Sequence, residues 1–179
     1  KQGHYLIVER DGNFKEMQYW HPLNSTTQNQ GEALQDIIQE AVKYRQVSDV
    51  PIGAFLSGGI DSSAVISHMA RISEYPITTL TIGFKEKKFD ESEHSFEISS
   101  LFKTKHQLQT LDEEQLLKAL PNALSAMDQP TMDGINTFLI SRAAHETGLK
   151  VVLSGLGGDE LFGGYPSFKL VPKLMDRKK

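Results

Sequence analysis

The chain has 179 residues and a formal net charge of −4, with 39% hydrophobic and 23% charged residues. This composition can form a packed core and excludes collagen-like, low-complexity and disordered chains. The sequence contains no cysteine, which excludes disulfides, thiolate zinc sites and iron–sulfur clusters within it. No apolar run is long enough to span a membrane, and the negative charge argues against nucleic-acid binding. We therefore expect a soluble, cytoplasmic α/β protein.

The first twenty residues predict a β-hairpin. Two β-prone runs, residues 4–9 and 15–20, flank the turn dipeptide Asp11-Gly12, which is a strong hairpin signal. The polar, turn-rich segment 21–30 that follows is typical of a linker. Because an isolated hairpin is only marginally stable in water, we expect this one to complete a sheet formed by residues that precede Lys1.

From Gly31 onward, helical and strand patterns alternate along the chain. The helices are predicted near residues 33–42, 62–74, 91–102, 111–127 and 135–147, and the strands at 50–56, 77–84, 104–110 and 150–153. Gly148 is predicted to end the last of these helices as its C′ residue, and the basic tail from Lys173 is expected to fray. Such alternation predicts an open parallel sheet with flanking helices, in which ligands bind beyond the carboxyl ends of the strands.

The loop Ser57-Gly58-Gly59-Ile60-Asp61-Ser62-Ser63, here called the first glycine loop, lies between a predicted strand and a predicted helix. Its glycines let backbone amides approach an anion, and the amino end of the following helix favours negative charge. The serine hydroxyls can donate to phosphate oxygens. Asp61 would repel phosphate unless Mg²⁺ lay between them, since Mg²⁺ binds one or two carboxylates together with phosphate oxygens. The alternative is an ordinary strand-to-helix turn with Asp61 at the helix start.

The second glycine loop, residues 154–165, has the sequence Ser-Gly-Leu-Gly-Gly-Asp-Glu-Leu-Phe-Gly-Gly-Tyr and follows the last predicted strand. Its five glycines expose backbone amides, and Asp159 supplies a second candidate metal ligand. Two such loops at neighbouring strand ends could hold one triphosphate from both sides. The alternative is a flexible lid in which Asp159 and Glu160 are helix N-terminal acids.

The two loops resemble the signatures of a known family. The first resembles the pyrophosphate-binding loop of the N-type ATP pyrophosphatases, and the second resembles that of the synthetase domain of glutamine-hydrolysing asparagine synthetases. Segments 48–56, 81–84 and 89–91 agree with the same family. The resemblance implies an adenine nucleotide alpha hydrolase-like domain over residues 31–179, truncated at its C-terminus. It also implies that residues 1–24 are the last hairpin of a glutaminase domain and its linker.

The resemblance also implies a reaction and a set of site residues. An aspartate carboxylate would attack the α-phosphorus of ATP, and ammonia from glutamine would then displace AMP. Asp61 and Asp159 would act as catalytic carboxylates that bind Mg²⁺, while Asp90 and Glu91 would contact substrate or only start the next helix. The implied ligands of ATP and its pyrophosphate are Leu56, Ser57, Gly58, Gly59, Asp61, Ser62, Ile82, Ser154 and Gly155.

One residue departs from the family pattern. Asparagine synthetases typically have a glutamate where this chain has Leu156, and leucine cannot transfer a proton in the amidation step. A related amidotransferase or amide synthetase with another carboxylate acceptor is therefore an alternative, as is a non-catalytic nucleotide-binding module. The intact Asp61 and Asp159 argue against the last alternative.

Residues 133–137 allow two interpretations. They could line the acceptor pocket, as their place in the family implies, or they could form only a turn and a helix N-cap. The expected partners of the chain are small-molecule substrates and a glutaminase domain, with neither nucleic acid nor membrane.

Overall fold

A computed structural model describes residues 1–21, 33–85, 92–129 and 131–176. Asp90 and Glu91 lie outside the described residues, so their contact with substrate stays a prediction. The chain divides into two compact units, Lys1–Leu34 and Gln35–Lys179.

The first unit contains the predicted hairpin. Strands β1 (His4–Val8) and β2 (Phe14–Gln18) pair in antiparallel register, with His4 opposite Gln18 and Val8 opposite Phe14. Gly12 has a φ of +87°, which an L side chain rarely adopts, and its N–H donates to the Glu9 carbonyl at 3.1 Å. The Asp-Gly turn signal is thus confirmed.

The second unit is an open sheet between two layers of helices. Its strands are β3 (Ile52–Phe55), β4 (Thr78–Phe84), β5 (Lys105–Leu111) and β6 (Val151–Leu153). Its helices are α1 (Leu34–Arg45), α2 (Ile60–Ile72), α3 (Ser92–Leu101), α4 (Glu113–Ser125), α5 (Gly134–Glu146), α6 (Gly158–Phe162) and α7 (Ser167–Asp176). All pairings are parallel and the strand order is β5-β4-β3-β6. The predicted parallel α/β fold is confirmed.

Alternation along β3 divides the core between the two faces of this sheet. Ala54 packs in a cluster with Val42 of α1, with Ile66 of α2, and with partly buried residues at the end of α3. Phe55 instead packs in a cluster with Leu80 and residues of α5 on the other face. A third cluster joins α4 and α5 to β4 and β5. These helices leave the carboxyl ends of β3 and β6 to the two glycine loops.

The helix ends show one confirmed prediction and one difference. Gly148 has a φ of +82°, its N–H donates to the His145 carbonyl, and the N–H of Leu149 donates to the Ala144 carbonyl. This pair of bonds is a Schellman motif, as expected for a glycine at C′. Helix α7, by contrast, extends to Asp176 over part of the tail that we expected to fray. Among the described residues, none of the helices is both long and apolar enough to cross a membrane.

Candidate active site

The two glycine loops begin side by side because β3 and β6 are neighbours in register, with Ala54 opposite Leu153. Together they border a cavity of about 900 Å³ at the carboxyl edge of the sheet, where ligands of open α/β sheets bind. From the predicted set, the cavity is lined by Ser57, Gly59, Asp61, Ser62, Ile82, Ser154, Gly155 and Asp159. Of the predicted site residues that the structure describes, Leu56 and Gly58 do not line the cavity.

The second loop packs with its glycine backbone directly against Asp61. A Cβ built on Gly155 would lie 2.7 Å from the Ser62 nitrogen and 2.9 Å from the Asp61 carbonyl carbon. A Cβ on Gly158 would overlap the Asp61 carboxylate itself, and one on Gly164 would overlap the carboxylate of Asp159. Since real Cβ atoms do not approach other atoms so closely, each aspartate occupies space that only a glycine leaves free.

The hydroxyl groups of the first loop form hydrogen bonds within the loop. Ser62 Oγ and Ser63 Oγ both donate to the Gly59 carbonyl, at 3.1 and 2.7 Å, and Ser57 Oγ lies 3.0 Å from Ser62 Oγ. Gly58 has a φ of +79° and faces α3, where an added Cβ would lie 2.6 Å from the Cβ of His94. The groups of this loop that suit a phosphate best are therefore the backbone N–H groups at the start of α2.

Leu56 connects β3 to the first loop, and its polar backbone atoms already have partners. Its N–H donates to the Leu80 carbonyl at 2.9 Å, and its carbonyl accepts a hydrogen bond from the buried hydroxyl of Thr81. Its side chain lies in the core. Ile82, the residue after Thr81 on β4, does line the cavity. The adenosine contacts assigned to Leu56 and Ile82 stay predictions.

The cavity has a strongly negative lining. Asp61, Asp133 and Asp159 are the charged side chains among its described lining residues, and all three are acidic. The nearby Tyr165 responds to this charge, since its hydroxyl donates to Glu160 Oε1 at 2.8 Å. That hydrogen bond, together with the charges of Glu160, Asp159 and Asp61, raises the pKa of Tyr165 above its usual value of 10.0. The three acidic side chains of the lining favour cations in the cavity.

This donor set fits Mg²⁺ as the predicted metal. Within the described ranges, no group of three or more His, Asp or Glu side chains is arranged to hold a metal ion. Asp61 and Asp159 nevertheless line one cavity, and Mg²⁺ is commonly bound by one or two carboxylates plus substrate phosphates rather than by an all-protein cage.

A second cavity, of about 620 Å³, also borders the second glycine loop and is lined by residues of α1, α2 and β6. Its lining is mainly apolar and includes Ile38, Val65 and Leu161, together with the charged Arg45 and Asp61. Leu156 borders both cavities and is 87% exposed. The second loop and Asp61 therefore contribute to the lining of both cavities.

The start of α5 forms a further part of the lining of the first cavity. Asp133, Asn136 and Thr137 all line it. Asp133 occupies the N-cap position of α5, but its side chain makes no hydrogen bond to the helix backbone. Asn136 Nδ2 instead donates to Asp133 Oδ1 at 3.0 Å. Of the two interpretations of this segment, lining the pocket is therefore favoured over capping alone.

Several lining residues escaped our sequence reasoning. Phe55, Phe84, Ile140 and Phe162 contribute apolar surface to the first cavity. Phe84 could have been found from the period-2 alternation of β4, because it shares a face with Ile82. Phe162 carries no such signal, since its position depends on how the second loop folds back over the sheet.

Comparison of the sequence with known proteins shows the family of this chain. The sequence pattern of the asparagine synthase family matches residues 33–179. The chain belongs to the asparagine synthase family. A relative from Methanocaldococcus jannaschii, provisionally named glutamine-hydrolysing asparagine synthetase 2, is 40% identical over 132 residues, or 72% of this chain and 25% of that protein.

Two further relatives of this chain are named as an asparagine synthetase and as an amidase. Asparagine synthetase (glutamine-hydrolysing) 1 of Bacillus subtilis is 29% identical over 93% of this chain and 27% of its own length. Amidase chyE of Penicillium rubens is 31% identical over 93% of this chain and 28% of its own length. The chain thus spans about a quarter of the length of these relatives.

Proposed function

We propose that this chain is the adenylating part of an ATP-dependent, amide-forming ligase of the glutamine-hydrolysing asparagine synthetase type. The observation that carries the proposal is the meeting of two glycine loops, each with one aspartate, at a single cavity on the carboxyl edge of the sheet. Membership of the asparagine synthase family supports it. The substrates would be ATP, the side-chain carboxylate of aspartate, and ammonia released from glutamine.

In this proposal the residues of the chain act mainly by binding and orientation. Backbone N–H groups of the two glycine loops would bind the pyrophosphate part of ATP, and the strand-end residues Leu56 and Ile82, with Ser154 and Gly155, would frame the adenosine. Asp61 and Asp159 would hold Mg²⁺, which when bound neutralises charge on the phosphates. Glycines 155, 158 and 164 would keep both carboxylates in place.

We further propose the domain organisation that the resemblance implies. Residues 31–179 would be the amino-terminal portion of the synthetase domain, and residues 1–24 would be the end of a glutaminase domain and its linker. The aligned part of this chain covers only about a quarter of each of these relatives, which supports a longer parent protein. A cytoplasmic location would give such an enzyme access to ATP and amino acids.

The test uses the full-length protein with ATP, Mg²⁺, aspartate and either glutamine or ammonium, with AMP, pyrophosphate and asparagine quantified together. We expect equal amounts of all three products. Asp61→Asn and Asp159→Asn should each reduce turnover by about 10²–10³-fold, the usual loss on removal of a charge-stabilising group. Asp49→Asn removes the same charge at the amino end of β3, away from the cavity, and should retain turnover. Normal AMP production by both cavity variants would refute their catalytic role.

A second candidate is an amide-forming ligase for a different carboxylate. Leu156, exposed at the mouth of the cavity, favours it because leucine cannot assist proton transfer during amidation. The similarity to a protein named amidase chyE is compatible with this alternative. AMP formation that requires a carboxylate other than aspartate would support the second candidate, whereas asparagine formation with wild-type protein would exclude it.

A further inference from the structure

We propose that Asp133 selects acceptors that carry a positively charged amine, by forming an ion pair with that amine on the part of the cavity wall formed by the start of α5. The inference rests on the proposed function, because it assumes that this cavity binds the carboxylate to be adenylated. It adds to that function a residue that determines specificity and the chemical class that the residue recognises.

The cavity is lined by acidic side chains and by no basic one among its described lining residues. The charged side chains among its described lining residues are Asp61, Asp133 and Asp159. Both proposed substrates, ATP and a carboxylate, are anions, so the lining repels them unless cations are supplied. Mg²⁺ would supply positive charge at Asp61 and Asp159 in the glycine loops. Asp133 lies on α5 instead, and an amine on the acceptor would neutralise it.

The carboxylate of Asp133 accepts hydrogen bonds from the side chains of Asn136 and Thr137, but its negative charge is not neutralised by them. Asp133 stands at the N-cap position of α5, where an aspartate normally accepts a backbone N–H of the first turn, but its side chain makes no such bond. Among the described residues no Lys, Arg or His forms an ion pair with it. Its side chain is exposed to the cavity.

The carboxylate of Asp133 is held in a defined orientation by hydrogen bonds to both of its oxygens. Asn136, one turn further along α5, donates from Nδ2 to Asp133 Oδ1 at 3.0 Å. Asn136 and Thr137 line the same cavity, so the held carboxylate belongs to a polar surface beside the apolar Ile140. A fixed carboxylate next to neutral polar groups is suited to an ammonium, which needs one anion and further acceptors.

The experiment compares acceptors that differ only by the amine. Full-length protein is assayed for AMP formation with L-aspartate against succinate and with L-glutamate against glutarate, within a wider panel of carboxylates with and without an amine. We expect the wild type to prefer the aminated member of the productive pair. In Asp133→Asn, the KM for that acceptor should rise about tenfold or more, the loss expected for a hydrogen bond to a charged group. The KM for ATP and the turnover of the deaminated acceptor should change less than about twofold.

Two matched variants complete the design. Asp133→Glu keeps the charge and should retain part of the preference for the amine. Asp128→Asn removes an equal charge from the segment before α5, at an exposed residue that does not line the cavity, and should leave the preference unchanged. Circular dichroism of each variant reports whether the fold is retained.

The remaining outcomes separate the two proposals. Equal use of aminated and deaminated carboxylates by the wild type, or an equal loss of both in Asp133→Asn, would overturn the role of Asp133 while leaving the ligase intact. A rise in the KM for ATP in Asp133→Asn would assign the residue to nucleotide binding and would also overturn the inference. Absence of AMP with every carboxylate would instead refute the proposed function.

Discussion

The carboxylate of Asp61 lies so close to Gly158 that any side chain at position 158 would overlap it. Asp61 belongs to the first turn of α2 and Gly158 begins α6. The two glycine loops are therefore not structurally independent. The backbone of the second loop determines where the acid of the first can lie, and this dependence can be tested by mutation.

Gly158→Ala should abolish most ATP turnover while leaving the fold intact, because the new methyl group must push the Asp61 carboxylate out of the cavity. We expect a loss of at least tenfold in AMP formation. The control is Gly157→Ala, where an added Cβ meets open space and only the φ of +99° is strained, at a cost of about 1–2 kcal/mol in stability. Equal losses of activity in the two variants would show that backbone strain, rather than displacement of Asp61, is responsible.

Thr81→Val should destabilise the second unit by about 1–3 kcal/mol, the usual cost of leaving a buried polar group without its partner. The buried Thr81 hydroxyl donates to the Leu56 carbonyl just before the first glycine loop. The free energy of unfolding, measured in urea, provides the test. Thr110→Val, at an exposed position of β5, should change it by less than about 0.5 kcal/mol.

Ile66→Ala should lower the free energy of unfolding by about 2–5 kcal/mol, because it leaves a cavity in the core between the sheet and α2. Ile66 is fully buried, whereas Val47 is 83% exposed. Val47→Ala is thus a control that also removes side-chain carbons from a branched apolar residue. Urea denaturation of both variants measures the difference, and similar values for the two would contradict the observed packing of α2.

Asp112→Asn should reduce stability near neutral pH and lose this effect in acid. Asp112 caps α4 by accepting the N–H of Gln115 at 2.9 Å, and it also accepts from Lys85 Nζ at 3.0 Å. These two interactions, the backbone one first, hold the pKa of Asp112 below its usual value of 3.8. A lowered pKa in the folded state stabilises the protein above the unfolded pKa, and that contribution disappears as the pH falls through the folded value.

The measurement is the difference in urea midpoint between the wild type and Asp112→Asn at several pH values. The difference should be constant at pH 6 and above and should shrink as the pH falls below about 4. Asparagine is itself a good N-cap, so the variant removes mainly the charge. Lys85→Met should reduce the effect of Asp112→Asn, and a difference that grows in acid would contradict the assignment.

Local sequence signals predicted most of the fold. The Asp11-Gly12 turn, the C′ role of Gly148 and the alternation of strands and helices all depend on neighbours close in the chain, and the structure confirms them. Helix α7 was missed because the basic residues at the end of the chain suggested fraying, although Ser167–Asp176 has an amphipathic pattern. Local turn and helix signals do not decide between a frayed tail and an amphipathic helix in this segment.

The candidate site was only partly predictable. The convergence of the two glycine loops followed from the parallel sheet, because β3 and β6 end at the same edge. The overlap between position 158 and Asp61, and the failure of Asp133 to cap its own helix, depend on atoms from distant parts of the chain. The inward hydrogen bonds of Ser62 and Ser63 were also not foreseen, since both hydroxyls were expected to face a phosphate.

The second glycine loop borders two cavities, and Leu156 and Phe162 line both of them. A displacement of this loop therefore changes the shape of both cavities. Occupants of the two cavities are therefore subject to thermodynamic linkage: if a molecule in the apolar cavity alters the affinity for one in the acidic cavity, the reverse effect has the same magnitude. The glycines that allow close packing around Asp61 would then also influence how strongly binding in one cavity changes the affinity of the other.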